Sequence, residues 1–306
     1  PQFKPDWSPD TLRSYNYITH LLVIKRKLLQ QIGSLRRGFE GSQDFDLVLR
    51  ASEKAKGIVH IPKVLYHWRE HQNSTALNTN SKSNVPYSTK RAVADHLNRL
   101  KIGARIVDGP FFGSCRALFD LPASLPLVSI IIPTKDQAKL LRRCLDSILN
   151  RSTYPNYEII LVDSGSQESA TKALYAQLSN YPQIKIIHWK KPFNFAAVNN
   201  FASRQAKGDY FLFLNNDTEV INGDWIEAML EFAARPDVGA VGAKLFYPNQ
   251  TVQHGGVILG IGGVAGHSHK YFPADSHGYF GRLVVPQNLS AVTGACLMIS
   301  RRVFDS

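Results

Sequence analysis

The chain has 306 residues, 44% of them hydrophobic and 20% charged, which is enough to bury a core in one large domain or two ordinary ones and excludes wholesale disorder. Three cysteines, Cys115, Cys144 and Cys296, are too few for a disulfide scaffold, and the lack of a C-x-x-C pair disfavours a thiolate zinc site. The net charge is +12, and residues 1–126 carry most of it, with 19 Lys+Arg against 10 Asp+Glu.

A basic surface favours acidic partners. Lys25-Arg26-Lys27 and Arg36-Arg37 stand among apolar residues. They read either as a solvated helix face or as a peripheral contact of residues 25–37 with anionic membrane or phosphate. No zinc-finger or RNA-recognition pattern accompanies them, so nucleic acid is not an expected partner. No apolar run reaches the roughly 18–20 residues that span a bilayer.

In chain order, Ile18 to Val23 reads as a strand and Lys27 to Ile32 as a short helix stopped by Gly33. Phe45 to Ala55 reads as a helix and Ile58 to Ile61 as a strand ended by Pro62. Residues 73–86 are polar and Asn/Ser-rich, the composition of a linker. An amphipathic helix is expected from Thr89 to Ile102, with Val93, Leu97 and Leu100 on one face.

From Pro126 the pattern changes. Continuous apolar runs at Val128 to Ile132, Glu158 to Val162, Ile184 to His188 and Tyr210 to Leu214 read as buried parallel strands. Helical stretches follow each, at Leu140 to Leu149, Ala170 to Leu178, Ala196 to Ala206 and Trp225 to Ala234. Alternation at this spacing predicts an α/β fold, a mostly parallel sheet with helices on both faces. Ligands of such sheets bind outside the carboxyl ends of the strands.

Those ends carry Pro133-Thr134-Lys135-Asp136, Asp163-Ser164-Gly165-Ser166 and Asn215-Asn216-Asp217-Thr218-Glu219, and Asn194 to Asn200 opens the third helix. One acidic strand end is weak evidence, because Asp and Asn also cap helices. Four such loops in one unit point to a polar ligand. Asp163 and Ser164 suit the donors of a base and ribose, and Asp217 suits a hard cation that accompanies a diphosphate. No G-x-x-x-x-G-K-[ST] loop is present, which disfavours an ATP or GTP hydrolase of that type. Gly260 to Ala265 matches G-x-G-x-x-A but does not open the first strand–helix unit, so it reads as a glycine-rich loop.

Val128 to Asp136 (VSIIIPTKD), Leu161 to Ser166 (LVDSGS), the NFAAVNN segment and Phe213 to Val220 (FLNNDTEV) resemble the nucleotide-sugar half of family 2 glycosyltransferases. The resemblance implies a GT-A fold, a Rossmann-like sheet, here incomplete or permuted. It implies that Pro133, Thr134, Asp136, Asp163 and Ser164 line the nucleotide pocket, with Asn194, Asn199 and Asn216 contacting the donor. Asp217 would be the last position of the DxD-type element that binds Mg2+ or Mn2+ with the diphosphate. Here that element reads Asn-Asn-Asp, without a carboxylate at Asn215.

Val238 to Leu245, Gln253 to Gly256 and Val292 to Ser300 also resemble the bacterial polysaccharide branch of this family. His254 reads as a donor-phosphate or acceptor contact, or as a histidine in a polar loop, and Gly294-Ala295 as the turn at the acceptor edge. Residues 15–71 resemble the family's later segment. Within Gly33 to Arg50, Asp44 would be the general base, with a helix cap as the alternative. His67, in Tyr66-His67-Trp68-Arg69, reads as a metal or phosphate ligand or as a packing histidine.

The expected organisation is therefore 1–75 as the C-terminal half of one GT-A domain, 76–126 as a linker with one helix, and 127–306 as the N-terminal part of a second. A start at Pro1 and an end at Ser306 predict a piece of a tandem enzyme cut inside both domains. The expected activity is inverting transfer of a sugar from a nucleotide-diphosphate donor to a glycan or lipid-linked acceptor. The alternative is a catalytically incomplete module that binds nucleotide-sugar. The expected setting is the cytoplasm, at the inner face of the membrane where lipid-linked acceptors sit.

Overall fold

A computed structural model describes residues 2–68 and 84–306. The expected linker stretch therefore lies, up to residue 83, outside the described residues. The chain forms two compact units, one of residues 1–120 with 271–289, the other of 121–270 with 290–306.

The first unit begins with α1 (Pro9–Leu12), α2 (Arg26–Ile32) and α3 (Gln43–Lys54), followed by α4 (Val85–Arg99). Phe45, Val48 and Leu49 of α3 and Ala92, Val93 and Leu97 of α4 are buried and make its core. Asp46 is fully buried there, in ion pairs with Arg36 and Arg50. Arg36 is thus a structural cation that also meets Asp95, whereas Lys25, Arg26, Lys27 and Arg37 are exposed. Residues 76–126 hold the expected helix and also an antiparallel hairpin of β1 (Ala104–Asp108) and β2 (Cys115–Phe119).

Ile18 to Val23 and Ile58 to Ile61 do not form the expected strands. A strand needs a neighbour to take its N–H and C=O groups. Neither segment pairs with one among the described residues, and their apolar side chains stay in solvent, Val23 83% and Val59 84% exposed.

The second unit is built on a six-stranded sheet of order β5-β4-β3-β6-β12-β7. Its parallel part comprises β3 (Val128–Thr134), β4 (Tyr157–Asp163), β5 (Ile184–His188) and β6 (Tyr210–Leu214). The helices that follow them are α5 (Ala138–Arg151), α6 (Ser169–Leu178), α7 (Phe195–Ser203) and α8 (Trp225–Ala233). At the far edge come β7 (Ala240–Gly242) and, after two hairpins, β12 (Cys296–Ser300), antiparallel to both its neighbours. Those hairpins are β8 (Leu245–Phe246) with β9 (Val252–His254), and β10 (Val257–Leu259) with β11 (Ala265–His267). Gly260 to Val264 is the exposed turn of the second hairpin, not a phosphate loop. The chain closes on α9 (Arg301–Phe304).

Side chains alternate across the sheet with period two. Val128, Ile130 and Ile132 pack with Leu141, Cys144, Leu145 and Ile148 of α5, while Ile131, Phe211 and Phe213 pack with Val198 and Ala202 of α7. Both faces are dry, which is why the strands read as unbroken apolar runs. The chain leaves β3 for β4 on one side and returns to β6 on the other. The strand order thus reverses beside β3, the place where α/β sheets open a crevice at their carboxyl ends. Among the described residues no helix is long and apolar enough to cross a membrane.

Candidate functional site

The candidate site lies at the last residues of β3 and β4 and the loop after β6. Parallel register sets Thr134 beside Asp163 and Asp163 beside His188. Asn216 donates its side-chain N–H to the Thr134 hydroxyl at 3.0 Å, which ties the loop after β6 to the end of β3. Pro133 is half-buried within β3, and Ser164 donates its amide to the Thr134 carbonyl at 2.9 Å.

Asp163 is 7% exposed. Its Oδ1 accepts from the Ser166 amide at 3.0 Å and the Tyr175 hydroxyl at 3.1 Å, and its Oδ2 faces His188 Nδ1 at 3.1 Å. Burial alone would raise its pKa, but the Ser166 side chain and amide, His188 and Tyr175 together outweigh that and lower it. The carboxylate is therefore charged and fixed in direction.

Asp136 and Gln137 are consecutive non-glycine residues in the left-handed region, with φ of 54° and 59°. Such a pair persists only where its surroundings hold it. Here the Asp136 amide bonds Ser166 Oγ at 2.8 Å, and Asp136 Oδ1 accepts from the amides of Gln167 at 2.7 Å and Glu168 at 2.9 Å. Asp136 thus clamps the loop after β3 to the start of α6, and Ser166 links it to Asp163.

Asp217 follows Asn216 and is exposed. Among the described residues no three His, Cys, Asp or Glu side chains gather as a metal cage. The donors at hand, the Asp217 carboxylate and the Asn216 amide oxygen, are hard oxygens. That set fits Mg2+ or Mn2+ bound chiefly through diphosphate and water, not a resident ion held by protein alone.

On α7, Asn194 is the N-cap, accepting from the Ala197 amide at 2.9 Å. Asn199, one turn on, is 5% exposed; its Nδ2 donates to the Phe195 carbonyl at 2.9 Å and its Oδ1 has no partner. Ser164 Oγ is likewise buried without a partner. Buried polar atoms of a folded chain are nearly always paired. Arg13 Nε and Glu227 Oε2 are also buried without a partner, so these atoms do not by themselves mark a ligand site.

His254, at the end of β9, is 2% exposed, and both ring nitrogens face groups of the chain itself. Burial, and then the neighbouring His267, push its pKa down to about 4. It is thus an interior imidazole and not a surface contact. Gly294 and Ala295 precede β12; a Cβ on Gly294 would lie an ordinary 3.5 Å from the Phe195 ring, and the Ala295 carbonyl accepts from the Asn215 amide at 3.0 Å.

In the first unit, Asp44 lies in the first turn of α3. Its side chain is exposed and accepts from Asn16 Nδ2 at 3.1 Å. The N-cap is Ser42, so Asp44 is not the cap of this helix. His67 is exposed and lies outside any helix or strand.

The pattern that defines Glycosyl transferase family 2 matches residues 129–306, more than half of the chain and nearly all of the sheet just described. The chain belongs to glycosyl transferase family 2. It is 44% identical, over 99% of its length, to the uncharacterized protein y4gI of Sinorhizobium fredii. It is 42% identical, over 100% of its length, to the O-antigen biosynthesis protein RfbC of Myxococcus xanthus. It spans only 34% and 24% of those two relatives' own lengths. A solved mannosyltransferase from Pyrobaculum calidifontis, in complex with GDP-Man and Mn2+, overlaps 55% of this chain and 46% of its own at 22% identity and a TM-score of 0.37.

The expected α/β sheet, mostly parallel, is present. Sequence reasoning passed over Tyr175 and His188, which hold Asp163. His188 is the last residue of its strand, a position that could have flagged it. Tyr175 sits on an unremarkable helix turn, and no local signal marks it.

Proposed function

We propose that the second unit binds the nucleotide-diphosphate sugar of an inverting glycosyltransferase that builds a bacterial polysaccharide or lipid-linked glycan. The observation that carries this is the gathering of Thr134, a fixed, charged Asp163 and Asn216 at the carboxyl ends of adjacent strands. The O-antigen role of the Myxococcus relative supports the polysaccharide reading. Thr134, Asp163 and Ser164 receive base and ribose donors; Asn194, Asn199 and Asn216 line the path of the sugar and diphosphate.

Asp217 and the Asn216 amide oxygen would hold Mg2+ or Mn2+. When bound, the ion offsets charge that grows on the departing diphosphate. The acceptor hydroxyl gives its proton to a positioned carboxylate and attacks the anomeric carbon from the face opposite the diphosphate, which inverts that carbon. Asp44 is our candidate for the equivalent base of the first unit's own domain. Residues 1–75 would form the C-terminal half of a preceding domain of the same kind, a reading supported by the exposed apolar segments around Val23 and Val59, which pair with no strand among the described residues. The exposed Lys25, Arg26, Lys27 and Arg37 supply a face for an anionic membrane at the cytoplasmic side.

Calorimetry with UDP and GDP, with and without Mn2+, tests the donor site. Binding that needs the ion and is lost in Asp217→Ala is expected. Equal binding with the metal chelated defeats the metal-assisted version, and no binding of either nucleotide defeats the reading itself.

A further inference from the structure

We infer that His254 is a positioning residue: its neutral imidazole fixes the loop before β12 and, through that loop, the backbone of Asn215 at the head of the Asn-Asn-Asp element. This rests on the donor-site reading given above for its functional meaning, though not for its structural content.

The connection can be followed atom by atom. His254 Nε2 accepts the Thr293 amide at 3.4 Å. Thr293 Oγ1 accepts the Ala295 amide at 3.3 Å. The Ala295 carbonyl accepts the Asn215 amide at 3.0 Å. Asn216, the next residue, reaches Thr134. The start of the loop is pinned separately, by an antiparallel bridge of Ala291 to Val257. A short strap, residues 291–295, thus runs from the two hairpins to the metal-binding turn, and a buried histidine grips it in the middle.

The choice of histidine follows from proton counting. A neutral imidazole carries one N–H. For Nε2 to accept from Thr293 it must be bare, so the His254 proton sits on Nδ1 and points at His267 Nδ1, 3.2 Å away. The rings meet edge to face, with centroids 4.9 Å apart. The Gln253 carbonyl, 3.1 Å from His267 Nδ1, favours the opposite arrangement, a proton on His267 Nδ1. That arrangement would move the His254 proton to Nε2, against the Thr293 N–H. The two patterns exclude each other, and only the first holds the strap. Burial keeps His254 from escaping the choice by taking a second proton.

The test is nuclear magnetic resonance on the full chain, reading imidazole nitrogen shifts and amide exchange together. Wild type is expected to show His254 protonated on Nδ1. His254→Phe keeps the bulk and removes the acceptor. It should speed exchange at the amides of Thr293, Ala295 and Asn215 by roughly fivefold to tenfold, the loss of about one hydrogen bond. His254→Gln, whose carbonyl can reach the Nε2 position, should restore protection. A residue that merely fills space gives the reverse order, with Phe tolerated and Gln not.

If His254→Phe does not fold, Thr293→Val against Thr293→Ser asks the same question at the next link, read at Ala295 and Asn215. Amides of β3 serve as the control for global opening. A His254 proton on Nε2, or Asn215 exchange unchanged in a folded His254→Phe or Thr293→Val, overturns the inference. Calorimetry with UDP or GDP and Mn2+ on the same proteins reads the donor site separately. Failure of wild type to bind defeats the functional reading, while the exchange result still decides whether His254 holds the strap.

Discussion

Asn216 and Thr134 meet through one hydrogen bond of 3.0 Å, and with it the loop after β6 closes onto the end of β3 at the point where the strand order reverses. Thr134 is only 4% exposed, so its hydroxyl is a fixed anchor for the turn that presents Asp217. Thr134→Val keeps the shape and removes that acceptor. Its expected effect is a severalfold weaker response of nucleotide binding to Mn2+, with thermal stability lowered by about 1 kcal/mol. Titration of Mn2+ at fixed nucleotide measures it.

The orphaned oxygen on Asn199 sets stability against binding. An unpaired buried carbonyl costs about 1–3 kcal/mol in the unliganded protein. Asn199→Leu should therefore melt no lower than wild type, even though it gives up the bond to Phe195. Its affinity for a nucleotide-sugar should fall at least tenfold. Differential scanning fluorimetry with and without ligand separates the two effects, and a variant that binds like wild type would remove Asn199 from the site.

Asp163 should make the protein acid-sensitive. Its pKa is lower when folded, so the unfolded chain binds the proton first as pH falls. The stabilisation is complete above the ordinary carboxylate value and disappears as pH drops through the folded one. Asp163→Asn should then differ from wild type in urea unfolding at pH 7, and the difference should shrink as pH falls below the ordinary carboxylate range.

His254 predicts a second slope, of the same sign and at higher pH. Its folded pKa of about 4 lies below the ordinary histidine value of 6.5, so between these limits the unfolded chain carries more protons. Stability rises with pH through this window. His254→Gln should flatten unfolding free energy between pH 4 and 6.5, with His267, the histidine that faces it, left in place.

The thiols report on packing. Burial pushes Cys115, Cys144 and Cys296 each up to about 12, so none is a thiolate at neutral pH. A thiol reagent should label all three only as fast as the protein unfolds. Rapid labelling of Cys144, which packs from α5 onto the sheet, would contradict the described core.

The parallel half of the sheet was legible because burial on both faces imposes a local signature, a short unbroken apolar run followed by a helical period. Val128 to Ile132 and Tyr210 to Leu214 carry that signature whatever lies around them. The strand-end residues were legible for a related reason: a parallel strand must end where its loop begins, so Thr134, Asp163 and Asn216 fall at one edge by topology alone. What surrounds those residues was not. Tyr175 reaches Asp163 from the helix that follows its strand and His188 from the next strand, and His254 reaches Asn215 through two other residues. Ile18 to Val23 shows the same limit from the other side. Its composition is that of a strand, but a strand exists only with a neighbour, and among the described residues it has none. Local composition thus decided which segments could be strands and which loops could hold a ligand. Pairing, register and the direction of each hydrogen bond were decided only when distant segments came together, because a donor and its acceptor are a relation between two places in the chain and not a property of either.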